Sequence, residues 1–287
     1  MGDIKKSSVS FLILKYSVFS VFIGRAYQHL FWDAPLRAFF WDEELLKFII
    51  ENILGIQWAD YVSSVSFDLF LKYLAIALGV LYLGSAIITL IFNEKKKLQR
   101  IILVSGSIGL FFLSYLLMKE KFYRVSQFFE YSLQFSIPLI LVYYNSAFLK
   151  KNLTIILKIL IAIVFVSHGL FAIGYYPVPG HYLGMVINIF EVNESVARLF
   201  LQIAGVLDFL LAIFIFVPKL SKLALIYAVF WGLSTSFARI LGGFYADFLF
   251  ESIHLNLYQV IFRLPHGLIP LMLLFQMKEK KVLNNSI

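Results

Sequence analysis

The feature that most constrains this chain is a series of apolar runs, each long enough to cross a bilayer. They lie near residues 9–27, 68–92, 101–118, 133–149, 153–175, 198–217, 221–242 and 258–276. A membrane-spanning helix needs roughly 20 mostly apolar residues. The runs are continuous and lack the period-two alternation of barrel strands. Hydrophobic residues make up 61% of the 287, and charged residues 15%, against about 45–50% and about 25% in a soluble domain. One water-facing core cannot hold that excess, so the second apolar solvent is the lipid bilayer. The expected fold class is therefore all-α: a polytopic transmembrane helical bundle of about eight spans. The first run, 10–23, has no small-residue cleavage site and reads as a span, not a leader.

The formal net charge is +8, but the basic residues sit in short clusters between apolar runs. That is a topology signal, and it argues against a nucleic-acid partner. Lys5-Lys6, Lys95-Lys96-Lys97 with Arg100, Lys150-Lys151, Lys219 with Lys222, and Lys278, Lys280 and Lys281 fall on one side. Asp42-Glu43-Glu44, Glu51, Asp60, Glu191, Glu194, Asp247 and Glu251 fall on the other. The loop with Lys119, Lys121 and Arg124 is mixed. The positive-inside rule puts both termini in the cytoplasm, and the long loops outside the inner membrane of a bacterium.

The longest outer loop covers about 28–66. Asp33-Ala34-Pro35 reads as a helix start. Leu36, Phe39, Phe40, Leu46, Ile50 and Ile53 then recur at helical spacing, opposite Arg37, Glu43, Glu44, Lys47 and Glu51. This predicts an amphipathic helix that lies on the outer membrane surface or packs on the bundle as a lid. Asn193-Glu194-Ser195 has the glycosylation form but reads better as a helix cap.

The halves 1–150 and 151–287 match in order. Ile13-Leu14-Lys15 answers to Ile156-Leu157-Lys158, Gly79-Val80-Leu81 to Gly205-Val206-Leu207, Gly106 to Gly232, and Ile137-Pro138-Leu139 to Ile269-Pro270-Leu271. The offset changes only in the outer loops, where insertions are tolerated. The expectation is an internal repeat of two four-helix units. An even number of spans gives both units the same orientation, related by an axis along the membrane normal.

In the second half, Lys158 stands early in a helix that ends with Phe165-Val166-Ser167-His168-Gly169-Leu170, and the next helix carries Gly205-Val206-Leu207-Asp208. With these residues the second unit resembles the DoxX family of small four-helix membrane proteins. In the first unit Arg25 stands where His168 stands, and Tyr82 where Asp208 stands. The resemblance implies, broadly, a membrane subunit of a quinone-linked redox complex or a partner of other redox enzymes, with quinone the candidate cofactor; a partner subunit on the outer side would be anchored through the first outer loop. The two fused units and the long acidic, aromatic first loop depart from that family.

Ionisable groups inside a membrane cost about 2.5–3.5 kcal/mol each at a helix centre and usually face the bundle interior. Arg25, His168, Arg239, Arg263 and His266 all fall in the outer half of their spans. Arg263 and His266 are three apart, which on one helix puts them on one face. Asp208 lies about ten residues, roughly 15 Å, into its span and needs a partner, for which Arg239 or His168 is the natural candidate. Asp208 and His168 are thus the candidates for proton handling. Arg25, Arg239, Arg263 and His266 are the candidates for binding an anionic or polar substrate in one outward cavity. There is no cysteine, and the five histidines lack metal-ligand spacing; no nucleotide fingerprint is present. Three readings remain open: a redox-complex subunit, a lipid or small-anion binding protein or transporter, and a non-catalytic scaffold for a partner.

Overall fold

The computed structural model describes residues 9–285, with side chains described through Glu279. Lys5 and Lys6 lie outside the described residues, as do the side chains of Lys280 and Lys281. Every regular element among the described residues is helical. In chain order they are α1 (Val9–Phe31), α2 (Arg37–Phe40), α3 (Glu43–Asn52), α4 (Trp58–Ser63), α5 (Val65–Leu90), α6 (Lys97–Glu120), α7 (Val125–Glu130) and α8 (Ser132–Val142). Then follow α9 (Ala147–Ala172), α10 (Gly180–Phe190), α11 (Glu194–Phe214), α12 (Ser221–Gly242), a 3-10 turn (Ala246–Phe248), α13 (Leu249–Arg263) and α14 (Pro265–Asn285).

Among the described residues, seven segments are long and apolar enough to cross a bilayer: α1, α5, α6, α9, α11, α12 and the stretch Ala246–Glu279. The eighth position is filled by α7 and α8, which run on through Tyr131. Alone, α8 rises only ~16 Å, whereas 125–142 rises ~27 Å, close to the ~30 Å of hydrocarbon. The protein is an all-α polytopic bundle of about eight spans. The run expected at 133–149 ends sooner, because 143–146 turn and the Ser146 side chain accepts from the Leu149 N–H at 3.3 Å to start α9. Asn193 acts as the cap its sequence suggested, accepting from the Val196 N–H at 3.0 Å.

The amphipathic helix expected after Asp33 is not one helix. It breaks at Trp41, because the Asp42 carboxylate accepts from the Leu45 N–H at 2.9 Å and opens a new helix there. Nor does Asp33 cap the first piece, which begins at Arg37; its carboxylate instead pairs with the Arg37 guanidinium at 2.6 Å. The two pieces behave differently. Ala34 and Leu36 are buried against Leu71, Ala75 and Leu116, so the first piece packs on α5 and α6 as a lid. On α3, Leu45, Phe48 and Ile49, with Ile53 just after it, are exposed at a helical spacing, the pattern of a surface-lying helix. An ion pair from Lys119 at the end of α6 to Asp42 ties the start of α3 to the bundle.

The core lies on the midline. Leu14, Val18, Val21 and Phe22 of α1 share one cluster with Leu157, Ile161, Val164 and Phe165 of α9, and with Ile137 and Ile269. Helices in lipid gain little from hydrophobic burial, so close packing at small residues matters most. At Gly24 a Cβ would lie 2.8 Å from the Phe262 backbone nitrogen, and at Gly232 it would lie 2.5 Å from the His266 carbonyl oxygen. These two crossings bring α13 onto α1 and α14 onto α12.

The neighbours of the two halves correspond. α1 packs on α5 as α9 packs on α11, and α6 packs on α7 and α8 as α12 packs on α13 and α14. Across the halves, α1 packs on α13 and α14 as α9 packs on α7 and α8. The broken fourth span of each half thus sits between its own third span and the first span of the other half.

Candidate functional site

The site forms where the two broken spans meet. α7 ends at Glu130 and α8 resumes at Ser132; α13 ends at Arg263 and α14 resumes at Pro265. A proline at the first helical position gives up only an N–H that has no helical partner there. Pro265 therefore starts a helix, while Pro138 and Pro270 sit inside α8 and α14. Arg263 ends α13 and His266 stands in the first turn of α14, beyond Leu264, whose backbone stays helical; the His266 Nδ1 lies 2.7 Å from the Arg263 carbonyl oxygen.

Glu130 bridges the breaks. Its carboxylate is in a close ion pair with the Arg263 guanidinium and accepts from the Gln127 amide at 3.1 Å. The His168 Nε2 lies 3.4 Å away. The side chains of Glu130 and Arg263 are only 4% and 9% exposed, so each charge depends on the other. On the other side of the breaks, Arg25 donates to the Gln134 side-chain oxygen through Nε at 3.1 Å and Nη2 at 2.7 Å, and to Gln28 at 2.7 Å. Its guanidinium stacks over the Phe262 ring at 3.8 Å and lies 4.9 Å from the Tyr131 ring centre. The ring faces offset the missing counter-ion in part. His168 and His266 stack at 5.5 Å.

Among the described residues, Arg239, near the end of α12, is the least satisfied of the buried arginines. It is 9% exposed, its Nε has no partner, and its one hydrogen bond, to Gln259, is long at 3.4 Å. Its guanidinium lies 5.9 Å from the centre of the Tyr182 ring of α10.

Two spaces meet at Arg239. One is a polar chamber of about 610 Å³ on the face of the bundle that carries the long loops. Arg25, Lys121, Arg124, Arg239 and Arg263 line it, with Glu130 as its one carboxylate. The other is an apolar cavity of about 770 Å³ between α11 and α12, roofed by α10. Tyr182, Met185, Arg239 and Arg263 line both spaces and form the wall between them.

The structure brings together most of the residues expected to form a site. His168, Asp208, Arg239 and Arg263 line the apolar cavity, and Arg25, Arg239 and Arg263 line the chamber. His266 lines neither and is buried behind His168. The partner expected for Asp208 is wrong: among the described residues Asp208 forms no ion pair, with Arg239 or with His168. Its Oδ1 is buried without a partner, and Trp231 is the side chain within hydrogen-bonding reach. Arg239 is eight residues beyond Trp231 on α12, ~12 Å along the axis, too far for a pair.

Glu130, which with Gln134 marks the fourth span in the sequence, is not among the candidate site residues. It falls just before the apolar run counted as the fourth span, and only the break at Tyr131 carries it inside. A usable signal existed in Gln127, Glu130 and Gln134, polar groups at a helical spacing beside a span. No three His, Asp or Glu side chains among the described residues are grouped as a metal site would need. Comparison with protein-family models, with curated proteins and with solved structures returned no match.

Proposed function

We propose that this protein is an integral protein of the bacterial inner membrane that binds an anionic ligand reaching it from the extracytoplasmic face. One observation carries the reading: five basic side chains and one carboxylate line a single chamber beneath the long loops. Glu130 balances Arg263, and four cations are left over. Arginine is the residue best suited to carboxylate or phosphate oxygens. A buried guanidinium as poorly partnered as Arg239 is costly unless a ligand completes its hydrogen bonds. The direction of access rests on the charge of the loops, which puts both termini in the cytoplasm.

The repeat supports the same centre. The Arg25–Gln134 contact of the first half answers to the His168–His266 contact of the second. The Arg25–Phe262 contact answers to His168–Glu130. We infer a duplicated ancestor whose two units have diverged at their shared axis, with Arg25 and His168 as counterparts. The DoxX resemblance rests on sequence motifs, and with it a redox-subunit reading in which the same chamber would hold a quinone's oxygens. The 3.4 Å approach of His168 to Glu130 favours that second reading, as a pair able to share a proton. Quinone-dependent electron transfer with a co-purified partner would be its signature.

The test is calorimetric titration of acetate and of inorganic phosphate into the purified protein in an uncharged detergent. Saturable binding of either, weakened by Arg239→Gln, is expected. No heat from either anion, in wild type and variant alike, overturns the anion reading.

A further inference from the structure

The apolar cavity raises a question that the polar chamber does not answer. A soluble anion needs the chamber alone. Yet Arg239 also faces a space of about 770 Å³ whose lining, apart from its inner polar residues, is apolar. That space does not end inside the protein. Ile226, Phe230, Phe237 and Leu241, which line it on α12, are themselves exposed on the flank of the bundle at spacings of four, seven and four residues. In a membrane that flank meets acyl chains. The cavity is therefore a side opening between α11 and α12 that leads from lipid to Arg239.

Its long dimension matches a lipid tail better than a compact solute. From Arg239 to Ile226 is thirteen residues, ~20 Å of helix, or about two-thirds of the hydrocarbon thickness of ~30 Å. The roof is fixed in position. Asn188 of α10 donates to the Gly242 carbonyl oxygen at 2.7 Å, and a Cβ on Gly242 would lie 2.8 Å from the Met185 Cα. The wall between the two spaces is thin and consists of Tyr182, Met185, Arg239 and Arg263. The cation with unmet hydrogen-bonding capacity thus stands where water on one side meets the lipid-side cavity on the other.

Resting on the anion reading above, we propose that the ligand is a long-chain amphiphile with an anionic head, taken from the bilayer. The head, a carboxylate or a phosphate monoester, bonds to Arg239 at the edge of the polar chamber. The tail lies in the apolar cavity along α12 and leaves between α11 and α12. Asp208 lies toward the inner end of the cavity beside Trp231, where it sets the limit to which a tail passes favourably. The head of a membrane lipid and a free anion share the chemistry that Arg239 reads; the tail is what separates the two sources.

The experiment uses the full chain in nanodiscs of phosphatidylcholine and palmitate carrying a photoactivatable diazirine on its tail. Labelling is expected to concentrate in peptides 200–208 and 226–241. Unlabelled palmitate should compete, and methyl palmitate, with the same tail and no charge, should not. Arg239→Gln should weaken the labelling about tenfold to a hundredfold, the usual loss when a charged hydrogen-bond partner is removed. Ala204→Phe, which narrows the apolar cavity away from the chamber, should lower it as well; if that variant does not fold, the wild-type map and the competition still decide. Labelling spread evenly over the lipid-facing helices, or equal competition by methyl palmitate, overturns the proposal. If acetate or phosphate binds in the calorimeter while palmitate labels nothing specifically, the ligand is a soluble anion and only the amphiphile proposal falls. If no anion binds and no labelling is specific, both readings fall.

Discussion

Replacing Glu130 with glutamine removes one charge from a buried pair and keeps the shape. The side chains of Glu130 and Arg263 are 4% and 9% exposed, so solvent cannot replace the lost partner and no discount for screening applies. Breaking a buried ion pair from one side costs about 3–5 kcal/mol. An ordinary interhelical hydrogen bond in a membrane protein averages about 0.6 kcal/mol, with a maximum near 1.7. The two possibilities are far enough apart to separate. Glu130→Gln, Arg263→Gln and the double variant would be unfolded in mixed micelles with a denaturing detergent. Each single variant should lose about 3–5 kcal/mol. The double variant should lose much less than the sum, because neither charge is then left alone. Single losses below about 1.7 kcal/mol, or losses that simply add, would refute the claim that the pair joins the two broken spans.

Among the described residues Asp208 has no ionic partner, so Asp208→Asn should change stability by less than about 1 kcal/mol, near the net worth of one hydrogen bond; a loss of 3 kcal/mol or more in the same unfolding assay would reveal a hidden ion pair. Gly232→Ala drives a Cβ to within 2.5 Å of the His266 carbonyl oxygen and should destabilise by about 1–3 kcal/mol, whereas Gly184→Ala, inside α10 where a Cβ meets nothing within 4 Å, should cost nothing and stabilise by up to about 1 kcal/mol by the same measurement. A reporter inserted in the 42–60 loop should lie outside the cytoplasm and one fused after Lys281 inside; finding both on one side would refute the topology.

Much of the bundle was legible because its cause is local. A run such as 153–175 must be a spanning helix whatever surrounds it, and α9 covers most of it, starting six residues earlier and ending three earlier. Boundaries set by single side chains were harder. The Tyr143-Tyr144 pair is aromatic enough to extend the fourth run, yet the chain turns there and Ser146 begins the next helix. Asp42 split the outer amphipathic segment in the same way. At the site, the cost of burying charge in lipid led to Arg25, His168, Arg239 and Arg263, each of which lines one or both of the two spaces. Depth along a helix gave no such guidance for partners. Asp208 of α11 and Arg239 of α12 face one cavity, but Asp208 lies beside Trp231, ~12 Å along α12 from Arg239, and the counter-ion of Arg263 is Glu130, 133 residues earlier in the chain. The basic residues that break the charge pattern of the long-loop face also find their reason in three dimensions. Lys119 pairs with Asp42, and Lys121 and Arg124 line the chamber.

The proposed preference of the loop-face chamber for anions can be tested cleanly, because the sequence has no cysteine. Gly184 lines the chamber and has open space where a side chain would go, so Gly184→Cys places one reporter thiol there. Its reaction with a membrane-impermeant anionic thiosulfonate and with a cationic one would be timed from the loop side. The account predicts faster modification by the anionic reagent, and loss of that preference when Arg124 and Arg239 are both replaced by glutamine. Faster reaction with the cationic reagent, or no reaction with either, would contradict it.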